Sequence, residues 1–352
     1  MERLQKKMLV ASIFFSIAAF CAMFYWAATK TIVIAEETAD TAGRLPNISR
    51  EPEKADQVLQ FAQETQTGDL LIPLPQEVKA DAITIENRYA EQVIVVAVEG
   101  KYPEFYQENA LKGNRSRIQN GFLGQQDGMT YLRLEMDGWY EHQYVFENGM
   151  LKLGFTAPKN IYDRIVVLDA ACGGRDTGHT AGNMQEKDVT LDLALRVKER
   201  LEAAGIRTYC TRTDDTNPSV GQRAAFANQI NADLCIGICL AADETNDMVY
   251  GIQTYYNPQY FIPDLGNTEL ADLLERETVT AVGGKANGLF AAGEKDALLQ
   301  ELQIPSAVIE VGFLTNEREI ALLASDEYRD SLADGIASAV KKAYAIKEEG
   351  KQ

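Results

Sequence analysis

The sequence predicts an α/β domain, a mostly parallel sheet flanked by helices, preceded by a small all-β domain and an N-terminal transmembrane helix. Three observations predict this. From Ile161 onward, short apolar runs alternate with segments of helical periodicity, the pattern of strands returning through helices to a parallel sheet. Between Asp81 and Pro158 the runs are short, β-branched and aromatic, and DG and NG pairs separate some of them. Ahead of both lies Met8–Ala28, 21 positions without a charge.

At about 1.5 Å rise per residue, the uncharged run spans a hydrocarbon core of roughly 30 Å. Arg3, Lys6 and Lys7 precede it and keep the N-terminus cytoplasmic by the positive-inside rule. Tyr25 and Trp26 stand where an interfacial aromatic belt forms. The rival is a cleavable signal peptide with a V-x-A site at Val33 and Ala35, but the apolar run is longer than the usual signal core. Residues 1–35 are therefore the cytoplasmic tip and anchor, with Cys21 packed in the span. Residues 36–78 are polar and acidic and read as a linker, with one short helix over Lys54–Glu64.

Residues 79–158 hold the strand-like runs ITIENRYAEQVIVVAVEG, TYLRLEMDGWYEHQYVF and MLKLGFTAP, the expected β domain. Residues 161–347 form the α/β domain. Within it IVVLDA is a buried strand, IRTYCTR a second, DLCIGIC a third, and GIQTYY and SAVIEVGF two more. Glu186–Ala204 is helical, with Val189, Leu193, Val197 and Leu201 in one stripe and Gly205 at the C-cap. The last helix starts at Ser325, a natural N-cap, with Leu332, Ile336, Val340 and Tyr344 on one face. In such a sheet ligands gather at the carboxyl ends of the strands.

A net charge of −18 excludes a nucleic-acid binder, which needs a basic face. A hydrophobic content of 46% suffices for two cores. The cysteines are Cys21, Cys172, Cys210, Cys235 and Cys239, with no CxxC spacing and no small disulfide framework. The two histidines are His142, in the β domain, and His179, in a loop.

Four segments fall at strand ends and their turns: LDAACGGRDTG (168–178), QEKDVTLDLALRVKERLEAAG (185–205), TRTDD with QRAAFAN and ADLCIGICLA (211–241), and PSAVIEVGFLTN (305–316). In this order and spacing they resemble the catalytic domain of zinc-dependent N-acetylmuramoyl-L-alanine amidases. Those enzymes cut the amide between N-acetylmuramic acid and the L-alanine of the peptidoglycan stem peptide. The resemblance covers about 162–345 and implies peptidoglycan as partner, with the folded domains on the cell-wall side of the membrane.

The resemblance also assigns a site. The family's D-P-G-H-G-G segment, whose histidine binds zinc, stands here as Asp169-Ala170-Ala171-Cys172-Gly173-Gly174. The second ligand is the glutamate opening the EKD helix, Glu186. The third is the histidine of an S-I-H-A-N-like segment, here Gly237-Ile238-Cys239-Leu240-Ala241. The catalytic glutamate of the E-x-G-F segment is Glu310. Asp214, Asp215, Arg223 and Asn228 match family positions and serve loop and helix-start structure. The implied set is thus Cys172, Glu186 and Cys239 as metal ligands, Glu310 as catalytic residue and zinc as cofactor.

Thiolates bind zinc well, but two thiolates and a carboxylate bring three negative charges to one Zn²⁺, weakening its activation of water. Three readings of Cys172 and Cys239 stand side by side: a metal site, a disulfide or redox pair, and small buried residues. Cys210 and Cys235 lie in strands and read as core. Glu186, in the first turn of a helix, also complements the helix dipole. Glu310 sits inside an apolar strand, where an unpaired carboxylate is costly, so it is expected to face a polar cleft. His179 could substitute as a ligand, although a solvent-exposed loop histidine fits its position better. Two functions follow: a variant amidase, or a non-catalytic relative that binds the wall or regulates.

Overall fold

The structure, a computed structural model, describes residues 32–33, 57–65, 68–259, 265–293 and 296–349. The Met8–Ala28 run expected to cross a membrane lies outside these residues. Among the described residues, no helix is long and apolar enough to do so. The chain divides into two compact units, the first ending at Thr156 and the second comprising Tyr89–Glu91 with the chain from Ala157 onward.

The first unit is a sandwich of a six-stranded and a five-stranded sheet. Leu70, Ile72, Leu151 and Leu153 from one sheet share a core with Ile94, Val96, Leu132 and Leu134 from the other, as facing sheets require. The DG and NG signals close two of its hairpins. Asp127 and Gly128 (φ 51° and 84°) join Ile118–Gln126 to Met129–Met136; Asn148 and Gly149 (φ 52° and 70°) join Glu141–Glu147 to Met150–Thr156. Positive φ at both central residues is what a type I′ turn demands. The expected linker with a short helix over Lys54–Glu64 is corrected here. Gln57–Val58, Phe61–Thr65 and Leu70–Pro73 are strands of the sandwich. Leu59, Leu70 and Ile72 have core places there that local propensity could not reveal.

The second unit is the α/β domain. Its strands are β1 (Ile165–Ala170), β2 (Arg207–Cys210), β3 (Leu234–Ala241), β4 (Ile252–Tyr256), β5 (Ala286–Ala291) and β6 (Ser306–Phe313), in the order β2-β1-β3-β6-β4-β5. All neighbours are parallel except β4 and β6. The expected five strands are present. The sixth, β5, escaped the sequence because it is a partly exposed edge strand whose first half holds Asn287 and Gly288 and whose apolar run is short.

One face of the sheet carries Leu168, Ile236, Ile238, Ile309 and Val311. It packs under helices α1 (Glu186–Glu202), α3 (Asn267–Val282), the short α5 (Glu317–Leu323) and α6 (Asp326–Glu349). The predicted stripes of α1 and α6 are both buried in that cluster. Gly205 (φ 73°) ends the first of these helices, and the Ser325 hydroxyl accepts from the Tyr328 amide at the start of the last. The opposite face is covered only in part, by α2 (Val220–Gln229), which opens on a capping box between Ser219 and Gln222, and by the short α4 (Ala297–Glu301).

Candidate active site

The site lies on this second face, and lateral register assembles it. Cys239 of β3 stands opposite Glu310 of β6, which stands opposite Gln253 of β4. Two bulges flank the row: the β3–β6 register shifts between Cys239 and Ala241, and the β4–β5 register between Ile252 and Gln253. The second inserts Asn287 as an extra residue, and its side-chain amide donates to Gln253 Oε1 at 2.6 Å. Gln253 Nε2 in turn donates to Glu310 Oε2 at 2.5 Å and to the Tyr255 hydroxyl at 3.2 Å. Gln253 is 7% exposed, so this amide is a fixed donor rather than a solvated one.

Glu310 is half-buried, as expected of a cleft residue. Burial pushes its carboxyl up to about 7; the Gln253 hydrogen bond opposes the shift, and the charges of Glu186 and Asp296 add to it. A carboxyl that titrates near neutral pH can both take and return a proton.

The loop after β1 carries Cys172 in left-handed backbone, φ 63°. That conformation is costly for a residue with a Cβ, and the bridge between Gly173 and Asp176 helps to hold it. Gly178 closes the loop against the helix start. A Cβ there would overlap Glu186 Oε2 and lie 2.7 Å from Cys172 Sγ, so this glycine lets loop, thiol and carboxylate come together.

Glu186, 4% exposed, is engaged by backbone: Oε1 accepts from the Leu240 amide and Oε2 from the His179 amide, both at 2.9 Å. Its carboxylate ties the end of β3 to the loop before α1. The His179 residue itself is exposed, in line with a solvent histidine.

Around this core the structure places two groups whose weight the sequence did not reveal. Arg212, 2% exposed, donates to the carbonyls of Ala170 (3.0 Å), Ala171 (3.1 Å), Lys187 (2.7 Å) and Asp214 (3.1 Å) and to the Thr190 hydroxyl (3.1 Å). One guanidinium thus clamps the end of β1, the first turn of α1 and the loop after β2. Asp169, also 2% exposed, accepts from Thr211 Oγ1 at 2.7 Å and Arg223 Nη1 at 2.5 Å. Asp215 accepts from the Gly174 amide and from Lys187 Nζ, both at 2.8 Å, and Asn228 binds both sides of the 301–303 turn. Of the family-matched residues, Arg223, Asp215 and Asn228 therefore do serve loop and helix placement.

Cys172, Cys210, Cys235 and Cys239 are free thiols in this structure, and Cys210 and Cys235 are core, as their strand positions predicted. Burial, then Glu186 and Asp176, pushes the Cys172 thiol up to about 12. Burial, then Glu186, Asp169 and Glu310, drives Cys239 well above its ordinary range.

The zinc that the resemblance implies was to be held by Cys172, Glu186 and Cys239. Both oxygens of Glu186 are already engaged by backbone amides. Among the described residues, no group of three or more His, Cys, Asp or Glu side chains is arranged to hold a metal ion. The residues as folded do not fit that ion.

The family model described as N-acetylmuramoyl-L-alanine amidase matches residues 166–342. The amidase CwlM of Mycobacterium tuberculosis is 31% identical over 187 residues, 51% of this chain and 45% of that protein. This chain therefore spans less than half the length of that relative. The germination-specific N-acetylmuramoyl-L-alanine amidase of Bacillus subtilis is 30% identical over 221 residues, 58% of this chain and 89% of that one. Among solved structures, an N-acetylmuramoyl-L-alanine amidase from Clostridium difficile 630 is 31% identical, covers 52% of this chain and 97% of its own, and superposes with a TM-score of 0.49. With half of its length matched by the family model, and 89% of the Bacillus relative covered at 30% identity, this chain belongs to the N-acetylmuramoyl-L-alanine amidase family.

Proposed function

We propose that this chain acts on peptidoglycan, with the amide between N-acetylmuramic acid and L-alanine as the bond its second unit receives and hydrolyses. The observation that carries this reading is Glu310. It is a half-buried carboxyl poised to titrate at about 7, held by Gln253 on the open face of the family's sheet. In this reading Glu310 takes a proton from an attacking water as oxygen adds to the carbonyl carbon. It then gives the proton to the alanine nitrogen as the C–N bond breaks, releasing a free amine on the stem peptide and a carboxylate on the sugar.

The lack, among the described residues, of a side-chain group arranged to hold a metal favours a second reading, in which the chain holds the stem peptide without cutting it. One experiment separates the two. The full chain is incubated with purified peptidoglycan, with and without added zinc; released stem peptides are measured by mass spectrometry and bound protein by co-sedimentation. Release supports hydrolysis. Binding with no release under either condition overturns hydrolysis and leaves the second reading, while neither binding nor release overturns both.

The uncharged Met8–Ala28 run and the basic residues before it support a single membrane span with both units on the cell-wall side. Protease added to intact protoplasts is expected to digest the units; protection that ends only on lysis would reverse this orientation.

A further inference from the structure

One row along the sheet from Glu310, on the same face, lies a pair of aromatic rings. Tyr255 of β4 is registered with Phe290 of β5 and with Val308 of β6. Tyr255 and Phe290 are each two positions further along their strands than the Gln253–Gly288 pair, which places them about 6.6 Å along the strand direction. Their ring centroids are 5.5 Å apart at an interplanar angle of 30°, so the two rings lean on one another as one aromatic pair. Phe290 is 41% exposed although large and apolar. A lone exposed apolar side chain signifies little, but this one is joined to a second ring, one row along the sheet from Gln253 and Glu310.

The polar edge of this surface is built as well. The Tyr255 hydroxyl accepts from Gln253 Nε2, and Gln253 is braced by Asn287. Planar amides and a phenol therefore border the rings on the side towards Glu310. A pyranose ring has the matching character: its C–H face is apolar and lies flat on aromatic rings, while its rim of hydroxyl and acetamido groups seeks amide donors and acceptors. A peptide backbone offers no such broad apolar face.

We propose that the Tyr255–Phe290 pair is the subsite for an N-acetylated sugar ring of the glycan strand, holding it flat beside the amide that Glu310 faces. This rests on the peptidoglycan reading and extends it by dividing the cleft into a sugar end, on β4 and β5, and a peptide end, towards Cys239 and the loop at Cys172. The sugar end then reads the glycan, and a stem peptide without its sugar gains nothing from it.

The test titrates the full chain with two probes, followed by ligand-observed NMR: N-acetylmuramoyl-L-alanyl-D-isoglutamine, and the same dipeptide without the sugar. Phe290→Ala is expected to weaken the sugar-bearing probe roughly three- to tenfold and to leave the bare dipeptide unchanged. Phe290→Tyr, which keeps the ring, is expected to bind the sugar-bearing probe as the wild type does. Phe290 lies at the exposed edge of the sheet, and unchanged dipeptide binding by Phe290→Ala doubles as its folding control. If Phe290→Ala leaves the affinity for the sugar-bearing probe unchanged, or weakens both probes equally, the sugar subsite is overturned while the peptidoglycan reading stands. If the wild type binds neither probe, the peptidoglycan reading falls and the subsite falls with it.

Discussion

Glu310→Gln is expected to stabilise the second unit at pH 8 by about 3 kcal/mol over the wild type, with the difference vanishing near pH 4. The folded carboxyl titrates at about 7 against an ordinary 4.5, so between those values the folded state binds more protons than the unfolded one. Stability then falls as pH rises through this window, and above 7 the full cost of holding a buried carboxylate is present. Each tenfold weakening of acidity on folding corresponds to about 1.4 kcal/mol.

Glutamine is the same shape, still accepts from Gln253 and never ionises, so it removes the cost. Urea denaturation of the two proteins at pH 4, 6 and 8 reads the difference directly. A difference independent of pH would show that Glu310 is not the perturbed group. The same substitution is expected to cut any stem-peptide release by about 10²- to 10⁴-fold, the usual worth of a general acid–base group. A variant more stable yet less active is the combination expected of a site group held in an unfavourable environment.

Arg212→Ala is expected to cost about 4 kcal/mol or more, a large part of the 5–15 kcal/mol typical of a whole domain. The buried guanidinium satisfies four carbonyls and a hydroxyl, and its removal strands acceptors at about 1–3 kcal/mol each. Arg212→Lys is expected to recover less than half of the loss, because an ammonium is a single point of donation and cannot span acceptors on β1, α1 and the following loop. The urea midpoint of the second unit is the measurement; a loss below about 1 kcal/mol for the alanine variant would mean that water replaces the clamp. Because the clamp sets the loop at Cys172 against the start of α1 at Glu186, the alanine variant is also expected to lose peptidoglycan binding before it unfolds.

Glu310 was legible in the sequence because a carboxylate inside SAVIEVGF has no reason to be there unless it faces a cleft. The stripes of α1 and α6, the Gly205 and Ser325 caps and the DG and NG turns were legible for a similar reason. Each is a local rule in which spacing or a single residue type forces one conformation. Gln253, Asn287, Tyr255 and Phe290 carry no such mark. Their meeting depends on which strands lie side by side, on an antiparallel step inside a parallel sheet and on a bulge that inserts one residue, none of which is written in any single segment.

Gln57–Val58, Phe61–Thr65 and Leu70–Pro73 show the same limit, since a helix or a loop suits them locally and only the neighbouring strands of the sandwich make them β. At the two cysteines the division is sharpest. The residue types at positions 172 and 239 were determined by the sequence alone. Whether those thiols ionise was decided by the tertiary structure. It half-buries them, Cys172 beside Glu186 and Asp176 and Cys239 beside Glu186, Asp169 and Glu310, and where water is scarce a further negative charge is more costly.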